Sequence, residues 1–253
     1  VIGAAQEERW TRRKHDAVFP AQAIAWCLAE GGLKLADIDA VGFFWNPGVH
    51  AEPANGRLTT VPRDHLEYLY AVPVHLMRHF DGVAVERVEQ TLHLDSGVRL
   101  RTHYLRHHLC HAAGAFFRSN FERAAILTID GYGERASTHI GRGVGRDIET
   151  LLEVEFPHSV GAFYAAITQY LGFKANSGEG KVMGLASYGT PRYADAMRSL
   201  ITTSSDGFEL DLSYFSFFLS RRRRFTQKLV DLLGPERTPE STIDPRHQDL
   251  AAS

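Results

Sequence analysis

The stretch that most constrains this chain is His107 to Glu134, HHLCHAAGAFFRSNFERAAILTIDGYGE. It changes character twice, from a helical pattern to a short apolar run and then to a glycine turn. His107 and His111 are four residues apart, which on a helix places both imidazoles on one face, within reach of a single ion. Ala124 to Ile129 is mostly apolar and reads as a buried strand, with Asp130 at its end. Gly131 and Gly133 then permit a tight turn whose N–H groups can approach an anion, since no Cβ stands in the way. His107, His111 and Asp130 are therefore candidate metal ligands. Spacing alone leaves open a plainer reading, a His-rich helix edge in a chain with 13 His followed by an ordinary turn, because most histidines bind no metal and Asp and Gly are common turn residues. Residue 108 is His where an HExxH hydrolase needs Glu, which argues against peptidase chemistry.

A chain of 253 residues with 44% hydrophobic content is long enough for one large or two modest domains. With 28 basic and 30 acidic residues the net charge is -2, so charge gives no reason to expect nucleic acid as a partner. Cys27 and Cys110 sit inside helical patterns, which suits reduced thiols and a cytoplasmic protein better than a disulfide framework. No segment approaches the roughly 20 apolar residues that span a bilayer, so no membrane partner is expected.

Along the chain, Pro20 opens a helix that Gly31-Gly32 ends, and a strand follows from Ala40 to Trp45, closed by Asn46-Pro47-Gly48. Short helices are expected over 63–71 and 74–80, then strands over 83–93 and 98–105 joined across Asp95-Ser96-Gly97. Past Asp130, strands over 135–141 and 148–155, joined by the Gly-rich turn GRGVGRD, are expected to form an antiparallel meander with 124–129. Ser159 can cap a helix reaching Leu171, with Gly172 just beyond it and Phe163, Ile167 and Leu171 on its buried face. A Gly-rich loop, Asn176 to Gly180, precedes KVMGLASYG. Loops 46–62 and 203–240 are the places to look for the walls of a substrate pocket. Arg221 to Arg224 and the mixed charges of Glu7, Glu8, Arg9, Arg12, Arg13 and Lys14 both admit the reading of a solvated surface.

Four blocks in order, EERWTRRKH, RHHLCHAAGAFF, ILTIDGYGE and FPHSVGAFYAAITQYLGFKANSGEGKVMGLASYG, resemble the O-carbamoyltransferases that modify nodulation factors and antibiotics such as tobramycin and cephamycin. The resemblance spans most of the chain and concerns the N-terminal transferase domain. It implies an α/β fold of the two-lobe actin, Hsp70 and sugar-kinase type, with residues 1–121 in a first lobe whose first strands are missing and 122–253 opening an incomplete second lobe. The chain then reads as a fragment cut at both ends and inactive by itself.

By the same resemblance, His107, His111 and Asp130 hold a divalent ion, expected to be Fe2+, with a further Asp beyond Ser253. A nucleotide, ATP or carbamoyl adenylate, is expected near Gly131, Gly133, Ser177, Gly178, Glu179 and Lys181, with Arg9 and Lys14 as further contacts and Lys181 as the catalytic charge. SGEGK lacks the spacing and the following Ser or Thr of a P-loop, so it is not a Walker A motif. The implied reaction moves a carbamoyl group from carbamoyl adenylate to a hydroxyl of a sugar-containing acceptor. A C-terminal YrdC-like domain makes the adenylate from carbamoyl phosphate and ATP, and the general base is expected ahead of Val1. The alternative is a nucleotide-binding remnant of this fold that does not catalyse.

Overall fold

The computed structural model describes residues 1–14, 16, 18–45, 87–220 and 222–253, so the helices expected over 63–71 and 74–80 and the turn Asn46-Pro47-Gly48 lie outside the described residues. Contacts divide the chain into two compact units, one from Val1–Phe43 and Arg87–Tyr104, the other from Leu105–Ser253 with Phe44 and Trp45.

In the first unit, helix α1 (Glu8–Thr11) precedes α2 (Ala21–Glu30). The residue before α2 is Pro20, which has no side chain to cap the free N–H groups of a first turn. Glu7 does so from a distance: its carboxylate accepts from the Ala23 N–H at 2.8 Å and from the Gln22 N–H at 3.3 Å. Glu7 is consequently buried, and the expected solvated charge run does not include it. Gly32, with φ at 61°, turns the chain beyond α2. Strand β1 (Val41–Phe43) runs parallel to β3 (Arg99–Leu105), pairing Val41 with Thr102 and Phe43 with Tyr104. β2 (Arg87–His93) completes the sheet in the order β1-β3-β2 and joins β3 through a turn in which the Leu94 N–H bonds the Val98 carbonyl at 2.9 Å.

The second unit begins with α3 (His107–Phe116) and the strands β4 (Arg123–Ile129), β5 (Ala136–Val144) and β6 (Asp147–Glu155), an antiparallel sheet in sequence order. The meander is as expected from the sequence, but the turn is shorter. Residues 141–144 continue β5, and the reversal is made at Gly145, whose φ is 59°. Gly141 and Gly143, read as part of the turn, serve packing instead. A Cβ on Gly143 would lie 2.7 Å from the Phe116 ring, so the end of α3 rests on bare backbone there. Ala112, Phe116 and Ile126 form the apolar contact between helix and sheet.

Beyond the sheet come α4 (Val160–Tyr170), α5 (Glu179–Ala186), α6 (Ala194–Arg198), the hairpin β7 (Ile201–Ser204) with β8 (Gly207–Leu210), α7 (Gln227–Leu233) and α8 (Pro245–Ala252). Ser159 caps α4 as expected, accepting from the Ala162 N–H at 3.0 Å, and Gly172 follows with φ at 75°. Ile167 and Tyr170 on α4, with Leu171 just past its end, meet Phe215, Phe225, Leu229 and Leu250 in the main core. Residues 203–240 are therefore not the loop the sequence led us to expect. They contain β8 and α7 and supply aromatic core, a pattern hidden because the apolar residues follow neither helical nor strand period for long.

The residue ahead of α3, Arg106, is held by a buried ion pair. Glu153 on β6 receives Nη2 of Arg106 at 2.5 and 2.7 Å and Nη2 of Arg135 at 3.0 Å; the Arg106 and Glu153 side chains are 9% and 10% exposed. Burial pushes the Glu153 carboxyl up, but the two guanidinium groups outweigh this and hold it below the usual range. Removing one partner strands the other's charge, which costs roughly 3–5 kcal/mol. We expect Glu153→Ala to lose about that much unfolding free energy in urea titrations, whereas Glu149→Ala, which removes an exposed partner of Arg142, should cost under about 1 kcal/mol.

Candidate metal centre and its glycine turns

His107 and His111 lie one turn apart on α3, and Asp130 follows the last residue of β4. The strand ladder continues one step past β4, since the Asp130 N–H donates to the Ser137 carbonyl at 3.0 Å. Oδ1 of Asp130 accepts from the Gly131 N–H at 2.6 Å, which turns Oδ2 toward the helix. There Oδ2 meets Nε2 of His107 at 2.9 Å and Nε2 of His111 at 3.2 Å, and the two nitrogens are 3.0 Å apart. Three ligand atoms from two elements thus converge on one point.

These separations suit a metal. Ligand atoms at about 2.1 Å from an ion stand about 3.0 Å apart on the face of an octahedron and about 3.4 Å apart in a tetrahedron. Two imidazole nitrogens that close repel one another unless a proton or a cation lies between them, and two His with one carboxylate on one face are the donor set of open-sided divalent sites. His108 is excluded by direction, as the helix spacing implies: it is buried, with Nδ1 2.6 Å from Oγ1 of Thr128 on β4.

Charge follows the same geometry. Burial pushes His107 down, but the hydrogen bond and charge of Asp130, with lesser help from Glu134 and the Phe44 backbone, outweigh it and hold its pKa above the usual value. The hydrogen bond from His107, opposed by burial and aided by the Gly131 N–H, holds Asp130 far below the usual carboxylate range. A proton on His107 thus occupies the position of positive charge. Behind the imidazole stand aromatic rings, with Phe44 and Trp45 at 5.8 and 5.6 Å from His107 and Tyr132 at 6.1 Å from Trp45.

The two glycine turns are tied to one helix. Ser159, ahead of α4, has its Oγ 2.5 Å from the Gly131 carbonyl and 3.2 Å from that of Asp130. Tyr164 donates to the Glu179 carbonyl at 3.3 Å. A Cβ on Gly161 would lie 2.5 Å from the Asp130 carbonyl oxygen, so α4 presses directly on the ligand turn. Of the two turn glycines, Gly131 has open space where a Cβ would stand, whereas at Gly133 a Cβ would come within 3.0 Å of His108. Gly133 therefore lets the turn pass close to α3. In the later loop, Ser177 and Gly178 lead into α5, Glu179 accepts from the Asn176 N–H at 2.6 Å, and Gly180 is already helical. Lys181 is exposed, its Nζ 5.8 Å from the Phe173 ring centre. Arg9, in α1, and Lys14 are exposed residues of the first unit.

Sequence reading passed over Glu134 and Gly161, and saw Ser159 only as a cap. Glu134 is buried, and its Oε2 and Oε1 accept from the His107 N–H at 3.0 and 3.1 Å. The available signal was an acidic residue four positions after Asp130 in a chain whose α3 is preceded by Arg106, a residue that caps nothing.

The fold and site define a mixed α/β chain with a two-histidine, one-carboxylate candidate metal centre at a helix–strand junction. The chain belongs to the family described as the carbamoyltransferase N-terminus, whose model matches residues 1–253. An uncharacterised protein of Synechocystis sp. is 38% identical over 100% of this chain and 42% of its own length. The nodulation protein NolNO of Sinorhizobium fredii is 34% identical over 76% of this chain and 26% of its own. The nodulation protein NolO of Bradyrhizobium diazoefficiens is 40% identical over 36% of this chain and 17% of its own. The chain thus spans less than half the length of each. Among the described residues, no helix is long and apolar enough to cross a membrane.

His108 gives a pH prediction for the metal-free protein. Burial, reinforced by the charge of His107, pushes its pKa down to about 4, against about 6.5 in an unfolded chain. Between those values the unfolded state binds the extra proton, so this contribution to stability is complete above about pH 6.5 and is lost as pH falls toward 4. NMR titration should find His108 neutral through pH 5; protonation at the ordinary histidine value would contradict the burial argument.

Proposed function

We propose that this chain is the transferring part of a metal-dependent O-carbamoyltransferase, acting on carbamoyl adenylate and a hydroxyl of a sugar-containing acceptor. The observation that carries the reading is the convergence of His107, His111 and Asp130 on one point, in a chain of the carbamoyltransferase N-terminus family. Fe2+ is the ion we assign. Bound there, it supplies a positive charge that polarises a carbonyl oxygen and makes its carbon more open to attack.

The residues divide the remaining work. His107 and His111 present Nε2, and Asp130 presents Oδ2 while Oδ1 stays on the Gly131 N–H, which keeps the carboxylate from rotating. We assign the adenylate phosphate to the turns at Gly131 and Gly133 and at Ser177, Gly178 and Glu179; because the N–H groups of Gly131, Gly133, Ser177 and Gly178 are already bonded within the chain, the charge that steadies it on departure falls to Lys181 as the catalytic residue, with Arg9 and Lys14 as further contacts. The acceptor oxygen bonds to the carbamoyl carbon, the bond to the adenylate oxygen breaks, and AMP leaves. The acceptor proton passes to a base that we place ahead of Val1. Carbamoyl adenylate is made, in this reading, from carbamoyl phosphate and ATP by a C-terminal YrdC-like domain. The sugar-containing acceptor, a cytoplasmic setting and an actin-type arrangement with a first lobe at 1–121 and a second from 122 rest on the family resemblance, and the mixed α/β content supports the last.

Two measurements test it. Titration with Fe2+ or Co2+ should find one ion per wild-type chain, loss of binding in His107→Ala and His111→Ala, and retention in His108→Ala, which lowers stability instead; equal loss in all three sinks the ligand assignment. Lys181→Met should weaken a carbamoyl-adenylate analogue by roughly 1.5–3 kcal/mol in calorimetry, the range for a lost charge-assisted hydrogen bond. Unchanged affinity removes Lys181 from the site.

A further inference from the structure

Glu134 stands apart from the three candidate ligands yet touches the element that carries two of them. Its carboxylate is buried, 3% exposed, in a place where a charge needs compensation. The first turn of α3 contributes to it: both oxygens lie within 3.0–3.1 Å of the His107 N–H, at the positive end of the helix. The residue before His107 offers no side-chain cap, so the N–H of the first ligand residue would otherwise be one of the unmet donors of a helix start. Asp130 and Glu134 also belong to one short turn, closed by the Asp130 N–H on the Ser137 carbonyl at 3.0 Å. One carboxylate of that turn reaches the imidazole of His107 and the other reaches its backbone.

We infer that Glu134 is a positioning residue for the candidate metal centre: through its hydrogen bond to the His107 N–H it fixes where α3 begins, and so where the two imidazoles stand relative to Asp130. The inference rests on the metal reading above and adds to it a residue that touches no ion. Loss of the bond leaves the first turn of α3 free to fray, which moves His107 more than His111 because fraying is confined to the end. Partners that orient metal ligands from behind in this way typically change metal affinity by about 10–100-fold when removed.

The test uses the 253-residue chain, Co2+ as the probe, and three variants. Glu134→Ala removes the acceptor, Glu134→Gln keeps an acceptor of the same length without the charge, and Glu134→Asp withdraws the carboxylate by one methylene should the Ala variant fail to fold. The expected result is a fall in Co2+ affinity of about 10–100-fold for Glu134→Ala or Glu134→Asp, recovery of most of it in Glu134→Gln, and faster hydrogen exchange at the His107 amide in the variants that bind weakly. A role confined to stability would lower the unfolding temperature and leave affinity and the Co2+ spectrum unchanged, and that result overturns the inference. So does a Glu134→Gln variant as weak as Glu134→Ala. If the wild-type chain takes up no Co2+, the metal reading falls by itself; exchange at the His107 amide, measured without metal, then decides the positioning claim, and unchanged protection in Glu134→Ala overturns it.

Discussion

The pairing of Arg106 with Glu153 is the contact on which the arrangement of the second unit depends. Arg106 is the last residue before α3, and Glu153 lies on β6, the strand of the meander farthest from β4 in the sheet order. The pair therefore anchors the helix start across the sheet, while Phe116 on Gly143 anchors the helix end. With both ends held, the helix cannot slide along the strands, and the offset between its His107 face and the end of β4 is set. Apolar contact alone would leave that offset soft, because the contact between helix and sheet is built mainly of Ala112, Phe116 and Ile126, and small apolar surfaces are tolerant of shifts along their length. Directional, buried charge supplies the register that packing does not.

How much of this was readable in advance depends on whether a signal was local. The i, i+4 histidines, the strand ending in Asp130, the meander and the Ser159 cap all declare themselves within a few residues and stand in the structure at the expected positions, but the strand expected to be buried is covered on one face only, with Leu127 and Ile129 exposed. Glu7 and Glu134 do not declare themselves. Each caps a helix that starts some 15 or 27 positions away in sequence, and nothing near either residue announces the partner. The glycines from 141 to 145 misled for a related reason: glycine marks a turn when its own φ requires it, as at Gly145, and marks a close neighbour when it does not, as at Gly143. Only the fold distinguishes the two.

The region from 203 to 240 shows the other limit. Its aromatic residues Phe215, Phe217 and Phe225 are buried in the main core, yet they stand on a 3-10 turn and irregular segments around it, where side chains alternate with no fixed period. Hydrophobic periodicity reports which face of a regular element is covered. It is silent about irregular chain that is covered all round.

Helix α4 sets a distance between the two glycine turns. Ser159 holds the Gly131 carbonyl and Tyr164 holds that of Glu179, so five helical steps, about 7.5 Å at the usual rise of about 1.5 Å per residue, separate the two attachment points. The lengths of the connecting segments do not enter that separation. Residues added at the Gly145-Arg146 reversal of the meander leave the two attachment points where they are, whereas a single residue added between Ser159 and Tyr164 rotates one relative to the other by about 100°. Helix α4 thus acts as a fixed gauge between the turns.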